Sequence, residues 1–320
     1  MFGIQELKEK IRITETMVEC PVKGCSEKVE KQKRIFKRED RFKCPKHNIY
    51  ISPSTFEYPN EEDNLLWKDK ADMELLNRIK TVKRESRMAR DNSEDSVTWN
   101  VFRFLERNNL LSSVIGELTV SPVENPEVIY WSYYQKENTS WSELNKAREE
   151  FGERLERGSE PDIIIKSDSE LFFIEAKLTA GNETVPSNMS SSKKYESGGG
   201  NWFPKVFKSD YKTVAIDDKK YELLRFWLLG TWTAKQMSLD FCLVNLVLSE
   251  KEKDIEGNFK KHIYENQGVR FIRISWENIY QQILTTGLSG INKELMIQYF
   301  RNKTLGYDKK GKLQRAFSIP

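Results

Sequence analysis

The sequence predicts an α/β (α+β) chain: a central mixed β-sheet flanked by helices, with a small module in front of it. Three observations lead there. Short apolar runs alternate with helix-length amphipathic stretches from about residue 91 onward, the mix that builds a sheet with covering helices. Three of the four cysteines and one of the two histidines fall between residues 20 and 47, which marks off an N-terminal piece. A composition of 38% hydrophobic and 32% charged residues over 320 positions is that of a folding chain with a real core, not a disordered one. No apolar run approaches the roughly 20 residues of a membrane helix, and the first residues lack an apolar signal core. A cytoplasmic protein with no membrane partner is therefore expected.

Residues 1–60 form the module, 61–90 a connector and 91–320 the main domain. The connector is rich in helix formers, and Leu75, Ile79 and Val82 at i, i+4 and i+7 give it one apolar stripe. A helix follows over 94–108, then strand-like stretches at 114–134, strongest in VIYWSYY, and a polar helix at about 142–156. Two apolar runs, 162–166 and 171–177, flank the turn-like SDSE and form a hairpin. Residues 179–204 are polar and rich in Gly and Ser, a long loop of the kind that lies over something. A helix at 218–236, buried strands at 240–248 and 268–274, and helices at 276–284 and 291–303 complete the chain. In the first of these helices Tyr221, Leu224, Leu228 and Trp232 share a face, which favours core packing over a stacking platform for bases. Tyr221 and Arg225 reach a phosphate only if that helix borders a site. Cys242 reads as a small core residue and His262 as a surface one.

The hairpin carries the chemistry. If SDSE closes a symmetric turn between Lys166 and Leu171, antiparallel pairing joins residues whose numbers sum to 337, and Asp162 falls opposite Glu175. Opposed residues share a sheet face with Cβ atoms roughly 4.5–5.5 Å apart, where two bare carboxylates repel. Strand alternation adds Lys177 to that face and sends Ile163, Ile165, Phe172 and Ile174 to the other, separating core from charge. A divalent cation with oxygen ligands neutralises such acids, and a lysine beside it can position or activate a water. A salt-bridge cluster on a solvated face is the plainer account of the same trio.

Pro161-Asp162 followed by Glu175-Ala176-Lys177 resembles the signature of the PD-(D/E)XK nuclease superfamily, the restriction-endonuclease-like fold, from about residue 94 to 285. The resemblance implies a Mg²⁺- or Mn²⁺-dependent endonuclease hydrolysing phosphodiester bonds, with DNA as substrate, in restriction, defence or repair. It places Asp162 and Glu175 on the metal and Lys177 beside the attacking water. It also implies a first-helix carboxylate, Glu94, with Asp95 as the neighbouring alternative. An acid in the first turn of a helix capped by Ser93 or Asn92 equally complements the macrodipole without any catalytic role. One metal site cuts one strand per event, so a double-strand break implies a homodimer or two successive cuts. A non-catalytic DNA-binding or assembly protein on the same scaffold is the alternative, as is an RNA or damaged-end substrate.

In the module, Cys20-x4-Cys25 and Cys44-x2-His47 are ligand pairs of the size that closes a tetrahedral Zn²⁺ site, each opening on a Cys-Pro step. Gly24 allows the tight backbone before Cys25. Four protein ligands leave no open position, so this zinc is structural. The module resembles a zinc ribbon, a class that implies nucleic-acid binding, protein contacts or simple stapling. Residues 21–50 hold ten Lys or Arg against four acids, although the formal net charge of the chain is only +3. Lys33, Arg34, Lys37, Arg38 and Arg41, with Phe36 and Phe42, suit phosphates and bases; two amphipathic strands with solvated charge account for them too. Lys193 and Lys194, beside the Gly-rich loop, are the remaining candidate nucleic-acid contacts, with solvated loop lysines as the default.

Overall fold

The computed structural model describes residues 1–33, 35–83, 85–188 and 192–319, so Arg34 lies outside the described residues. In chain order the elements begin with β1 (Met17–Glu19), β2 (Lys28–Glu30), β3 (Tyr50–Ile51), β4 (Phe56–Glu57) and α1 (Lys70–Ile79). They continue with α2 (Glu94–Arg107), α3 (Leu111–Thr119), β5 (Glu127–Tyr130), β6 (Tyr133–Tyr134), β7 (Thr139–Ser140), α4 (Ser142–Glu150), β8 (Ile163–Lys166) and β9 (Glu170–Ala176). Next come α5 (Ser192–Asn201), α6 (Phe203–Val206), α7 (Tyr221–Met237), β10 (Asp240–Val247), α8 (Ile255–Lys260) and β11 (Val269–Ser275). The chain ends with α9 (Trp276–Thr285), α10 (Ile291–Asn302), β12 (Thr304–Tyr307) and β13 (Leu313–Arg315). Two compact units emerge, each built from non-consecutive stretches: Met1–Asp69, Arg87–Phe104 and Ile279–Pro320 in one, Lys70–Ser86 and Leu105–Asn278 in the other. No described helix is long and apolar enough to cross a membrane.

The first unit is assembled from two-stranded pieces, β1 with β2, β3 with β4, and β12 with β13, all antiparallel. Its small core gathers Leu7, Ile11, Val18, Ile49, Phe56 and Tyr307 around Cys20, Cys25 and Cys44. The expected connector helix is shorter than the 61–90 stretch. Among the described residues of that stretch the one α-helix is α1, which belongs to the second unit and buries Leu75, Leu76 and Ile79. It stops because the Thr81 hydroxyl bonds back to the Arg78 carbonyl at 2.7 Å and the chain tightens, with Val82 N on the Ile79 carbonyl at 2.9 Å.

The second unit holds a seven-stranded mixed sheet in the order β11-β10-β9-β8-β5-β6-β7. β9, β10 and β11 run parallel, and the rest pair antiparallel. Parallel neighbours need a crossover, and α7 supplies the one between β9 and β10. It packs Leu224, Trp227 and Leu228 against Leu171, Phe173, Phe241 and Leu243 in a single apolar cluster. The sheet is therefore buried on both faces, since Ile163, Ile165, Phe172 and Ile174 on the opposite side are inaccessible as well. This corrects the expected separation of core from charge: the face bearing Asp162 and Glu175 also carries a large core.

Three further expectations change. Residues 111–119 form a helix, not strand, because Leu111, Val114 and Ile115 fall on one buried side at helical spacing. The long loop at 179–204 contains α5 and α6, with the helical path broken at Gly198, Gly199 and Gly200 and Pro204 opening the next turn. His262 is only 3% exposed, its Nδ1 2.8 Å from Ser209 Oγ and its Nε2 2.8 Å from Asp218 Oδ2.

Candidate functional site

In the second unit the hairpin has the register its turn dictates: Ile163 pairs with Ile174, Ile165 with Phe172 and Lys166 with Leu171. One step further along the same register sets Asp162 against Glu175. The Asp162 carboxylate accepts from Trp131 Nε1 at 3.1 Å and from the Ala176 backbone N–H at 2.9 Å, and its carbonyl accepts from Trp131 N at 3.1 Å. Parallel pairing then places Asn245 beside Glu175 and Arg273 beside Asn245. Four strands thus present a polar row, Asp162, Glu175, Asn245 and Arg273, immediately beyond the apolar row Ile164, Phe173, Leu243 and Phe271. Two residues past Glu175 on β9's own face, Lys177 turns its ammonium back to that carboxylate.

Glu222, in the first turn of α7, completes the cluster from above the sheet. Its Oε2 lies 2.9 Å from Lys177 Nζ. Side-chain exposure is 5% for Glu175, 12% for Lys177 and 21% for Glu222, so the three interact in a position withdrawn from water, where charges are weakly screened. Burial pushes the Glu175 carboxyl well above its ordinary value, Glu222 and Asp162 push it the same way, and Lys177 opposes them. Burial works against the Lys177 ammonium, yet Glu175, Glu222 and Asp162 together raise it above the ordinary lysine value. Three carboxyl groups face one ammonium, more acid than it can neutralise if all ionise, and their donor atoms are all oxygens, the set a hard cation takes. Among the described residues these acids do not form a ready cluster of three ligand atoms within 4.8 Å; only the thiol group below does.

The row reaches a second polar group that the sequence reading did not single out. Asn182 Nδ2 donates to Asn245 Oδ1 at 2.7 Å, and both amides donate to Glu252, at 2.7 and 2.9 Å. Arg273 Nη2 donates to the carbonyls of Leu248, Ser249 and Lys251 at 3.1, 2.8 and 2.6 Å, holding the loop after β10. The available signal was Asn245 itself, the one polar residue inside FCLVNLVL. Glu222 gave none, because an acid opening a helix needs no special reason.

Glu94 opens α2 in the other unit, half-buried, where Ser93 Oγ accepts from Ser96 N at 3.2 Å as an N-cap. Asp95 accepts from Arg87 N at 3.2 Å. Lys193 and Lys194 lie on α5, Lys193 exposed and Lys194 with its Nζ 4.7 Å from the Tyr195 ring centroid.

In the first unit the four metal-type ligands converge. Cys25 and Cys44 sulfurs are 3.8 Å apart, and His47 Nδ1 lies 3.5 Å from Cys20 Sγ and 3.6 Å from Cys44 Sγ. A tetrahedron with metal–sulfur bonds of about 2.3 Å and a metal–nitrogen bond of about 2.0 Å has edges of about 3.8 and 3.5 Å, so this group can hold a metal ion without rearrangement. The two knuckles share a backbone device: Gly24 (φ 74°) in the first and Asn48 (φ 57°) in the second take the left-handed turn. Burial pushes the Cys20 thiol up, with Cys44 adding to it, so a thiolate at Cys20 needs a cation.

Three of the basic residues expected to contact nucleic acid are paired with neighbouring acids. Arg38 Nε pairs with Glu57 at 3.0 Å, Arg41 with Glu39 at 2.7 Å and Glu30 at 3.5 Å, and Lys37 with Glu39 at 3.4 Å. Lys33 is exposed and lines a cavity of about 570 Å³ together with Phe36, Arg87 and Arg90. Comparison with protein-family models, with curated proteins and with solved structures finds no match to this chain.

Proposed function

We propose that the chain is a Mg²⁺- or Mn²⁺-dependent nuclease of the restriction-endonuclease-like fold, acting on phosphodiester bonds of DNA, with a zinc-ribbon module that helps hold the nucleic acid. The hairpin register carries this reading, because it sets Asp162 against Glu175 and leaves Lys177 beside them at one end of the sheet. The element order adds support. The resemblance goes with the order helix, strand, hairpin, helix, strand, strand, helix, and α2, β5, β8 with β9, α7, β10, β11 and α9 come in that order, with other elements between them.

In this reading Asp162 and Glu175 hold the cation, with Glu222 as a third carboxylate within reach of Lys177. The cation supplies positive charge for the phosphate and lowers the pKa of a water. Lys177, held between Glu175 and Glu222, orients that nucleophile and offsets charge on the phosphate. Cys20, Cys25, Cys44 and His47 hold Zn²⁺, which staples the module. Plasmid incubated with the purified chain and Mg²⁺, beside an EDTA control, tests the proposal. Wild type is expected to cut, and Glu175→Ala to bind DNA without cutting; uncut plasmid in every lane rejects it.

The ion pairs favour a second reading. Glu175 pairs with Lys177, Glu222 Oε2 lies 2.9 Å from the same ammonium, and Asp162 is anchored by Trp131 and Ala176, which suits a non-catalytic DNA-binding or assembly protein. Thermal melting separates the two. A nuclease gains stability from Mg²⁺ in wild type and not in Glu175→Ala, whereas a scaffold is indifferent to the ion.

A further inference from the structure

Arg225 lies on α7, three residues past Glu222, and its guanidinium has no hydrogen-bond partner among the described residues. Its Nε is sealed from solvent and unpaired, and the side chain as a whole is half-buried. Of the acids near it, Glu153 accepts from Ser159 N at 2.5 Å, Ser159 Oγ at 2.6 Å and the Tyr195 hydroxyl at 2.8 Å, while Glu222 lies within ion-pair range of Lys177 with its buried Oε2 left without a hydrogen bond. A charged donor kept from water with no acceptor is a standing cost that folded chains ordinarily remove by pairing it.

Building on the nuclease reading, we infer that Arg225 is a phosphate-binding residue that grips the nucleic-acid backbone beside the Asp162, Glu175 and Lys177 centre. The spacing of Glu222 and Arg225 at i and i+3 puts both on one side of α7, so an anion held by Arg225 sits on the side that faces Lys177. The Arg225 Cζ lies 4.7 Å from the Tyr221 ring centroid, a cation–π contact that holds the guanidinium in place, and with Nε sealed from solvent the two Nη groups are the ones left to donate to phosphate oxygens. The Tyr195 hydroxyl lies 3.4 Å from that of Tyr221, tying α5 to α7. The ligand is a phosphate, either an internal phosphodiester or the terminal phosphate of a strand, and the two share this chemistry.

Fluorescence anisotropy with a labelled duplex oligonucleotide tests the inference, using Ca²⁺ in place of Mg²⁺ and one version each with a 5′-phosphate and a 5′-hydroxyl. Arg225→Gln is expected to weaken binding about tenfold, the loss of one charge-assisted contact, and to lower the slope of log affinity against log salt by about one. Arg225→Lys keeps the charge and loses the fork, so its salt slope is retained and its affinity falls about threefold. Neither variant should melt below wild type, because the arginine makes no structural hydrogen bond and its sealed Nε is a cost to the fold. A loss confined to the 5′-phosphorylated duplex identifies a terminal phosphate as the ligand, and a loss in both identifies the internal backbone. Wild-type affinity and slope in Arg225→Gln overturn the inference while leaving a DNA-cutting wild type as a nuclease. If Arg225→Gln does not fold, Arg225→Lys decides, and wild-type affinity there is the negative result. A wild type that binds neither duplex sinks both proposals.

Discussion

The Nζ of Lys177 lies 2.9 Å from Oε2 of Glu222, which ties the end of β9 to the first turn of α7. Glu222→Gln leaves the ammonium leaning on Glu175 alone and removes one of three acids from the cluster. Losing one charge-assisted contact of about 1.5 kcal/mol corresponds to roughly tenfold in rate. Initial rates of plasmid cleavage in Mg²⁺ are therefore expected to fall about tenfold in Glu222→Gln and to the EDTA background in Glu175→Ala. An unchanged rate in Glu222→Gln would reduce the helix acid to a tether.

Glu252 gives a pH signature. Burial pushes its carboxyl up, but bonds from Asn182 N at 2.7 Å, Asn245 Nδ2 at 2.9 Å and Asn182 Nδ2 at 2.7 Å outweigh it, and the group titrates below its ordinary value of 4.5. A carboxyl depressed in the folded state contributes stability that is present above the unfolded value and is lost as pH falls through the folded one. The thermal midpoint of Glu252→Gln is expected to lie below that of wild type at neutral pH, with the gap closing as acid protonates the wild-type group. A gap independent of pH would mean that packing, not charge, sets the role of this residue.

How much of this was legible depends on how far away the deciding partner lies. The register of β8 on β9 was, because a four-residue turn between two alternating runs leaves one pairing that keeps faces consistent. The covering of the Glu175 face was not. Phe173 and Ile164 share that face and are buried under α7, and a period-two pattern cannot announce a helix supplied by a later stretch. Leu111, Val114 and Ile115 sit in a short apolar run that fits strand or helix equally, and only packing chose. His262 was misplaced for the same reason, since its partners Ser209 and Asp218 come from a separate segment. The thiol cluster was fully legible: local spacing and the Cys-Pro steps already contain the geometry that Gly24 and Asn48 complete.

That cluster predicts a metal dependence confined to the first unit. Structural Zn²⁺ contributes about 10–16 kcal/mol in small zinc modules, comparable to or above the roughly 5–15 kcal/mol stability of a whole domain. One zinc per chain is expected when thiols are oxidised or alkylated and the released ion is read with a colorimetric chelator. Cys44→Ser should carry none and melt well below wild type. Stoichiometric zinc in Cys44→Ser would show that the ion is held elsewhere.

Gly230 tests the packing that delivers Glu222 and Arg225. A Cβ placed there would meet the Phe241 ring at 2.0 Å from Cζ and 2.2 Å from Cε2, so the middle of α7 approaches β10 more closely than any other residue permits. The ring has little room to retreat, being flanked by Phe173 with centroids at 5.4 Å and Trp227 at 5.8 Å. Alanine would gain about 1 kcal/mol in helix propensity, against about 1–3 kcal/mol for overpacking a tight core. With contact this short the upper end applies, and Gly230→Ala is expected to lose about 1–2 kcal/mol, a fall of roughly 2–8 °C in the thermal midpoint. Cleavage should fall further than stability alone explains, since lifting α7 carries Glu222 away from Lys177. If Gly230→Ala melts and cuts like wild type, the helix can shift without disturbing the cluster, and the placement of Glu222 and Arg225 over the polar row loses its structural basis.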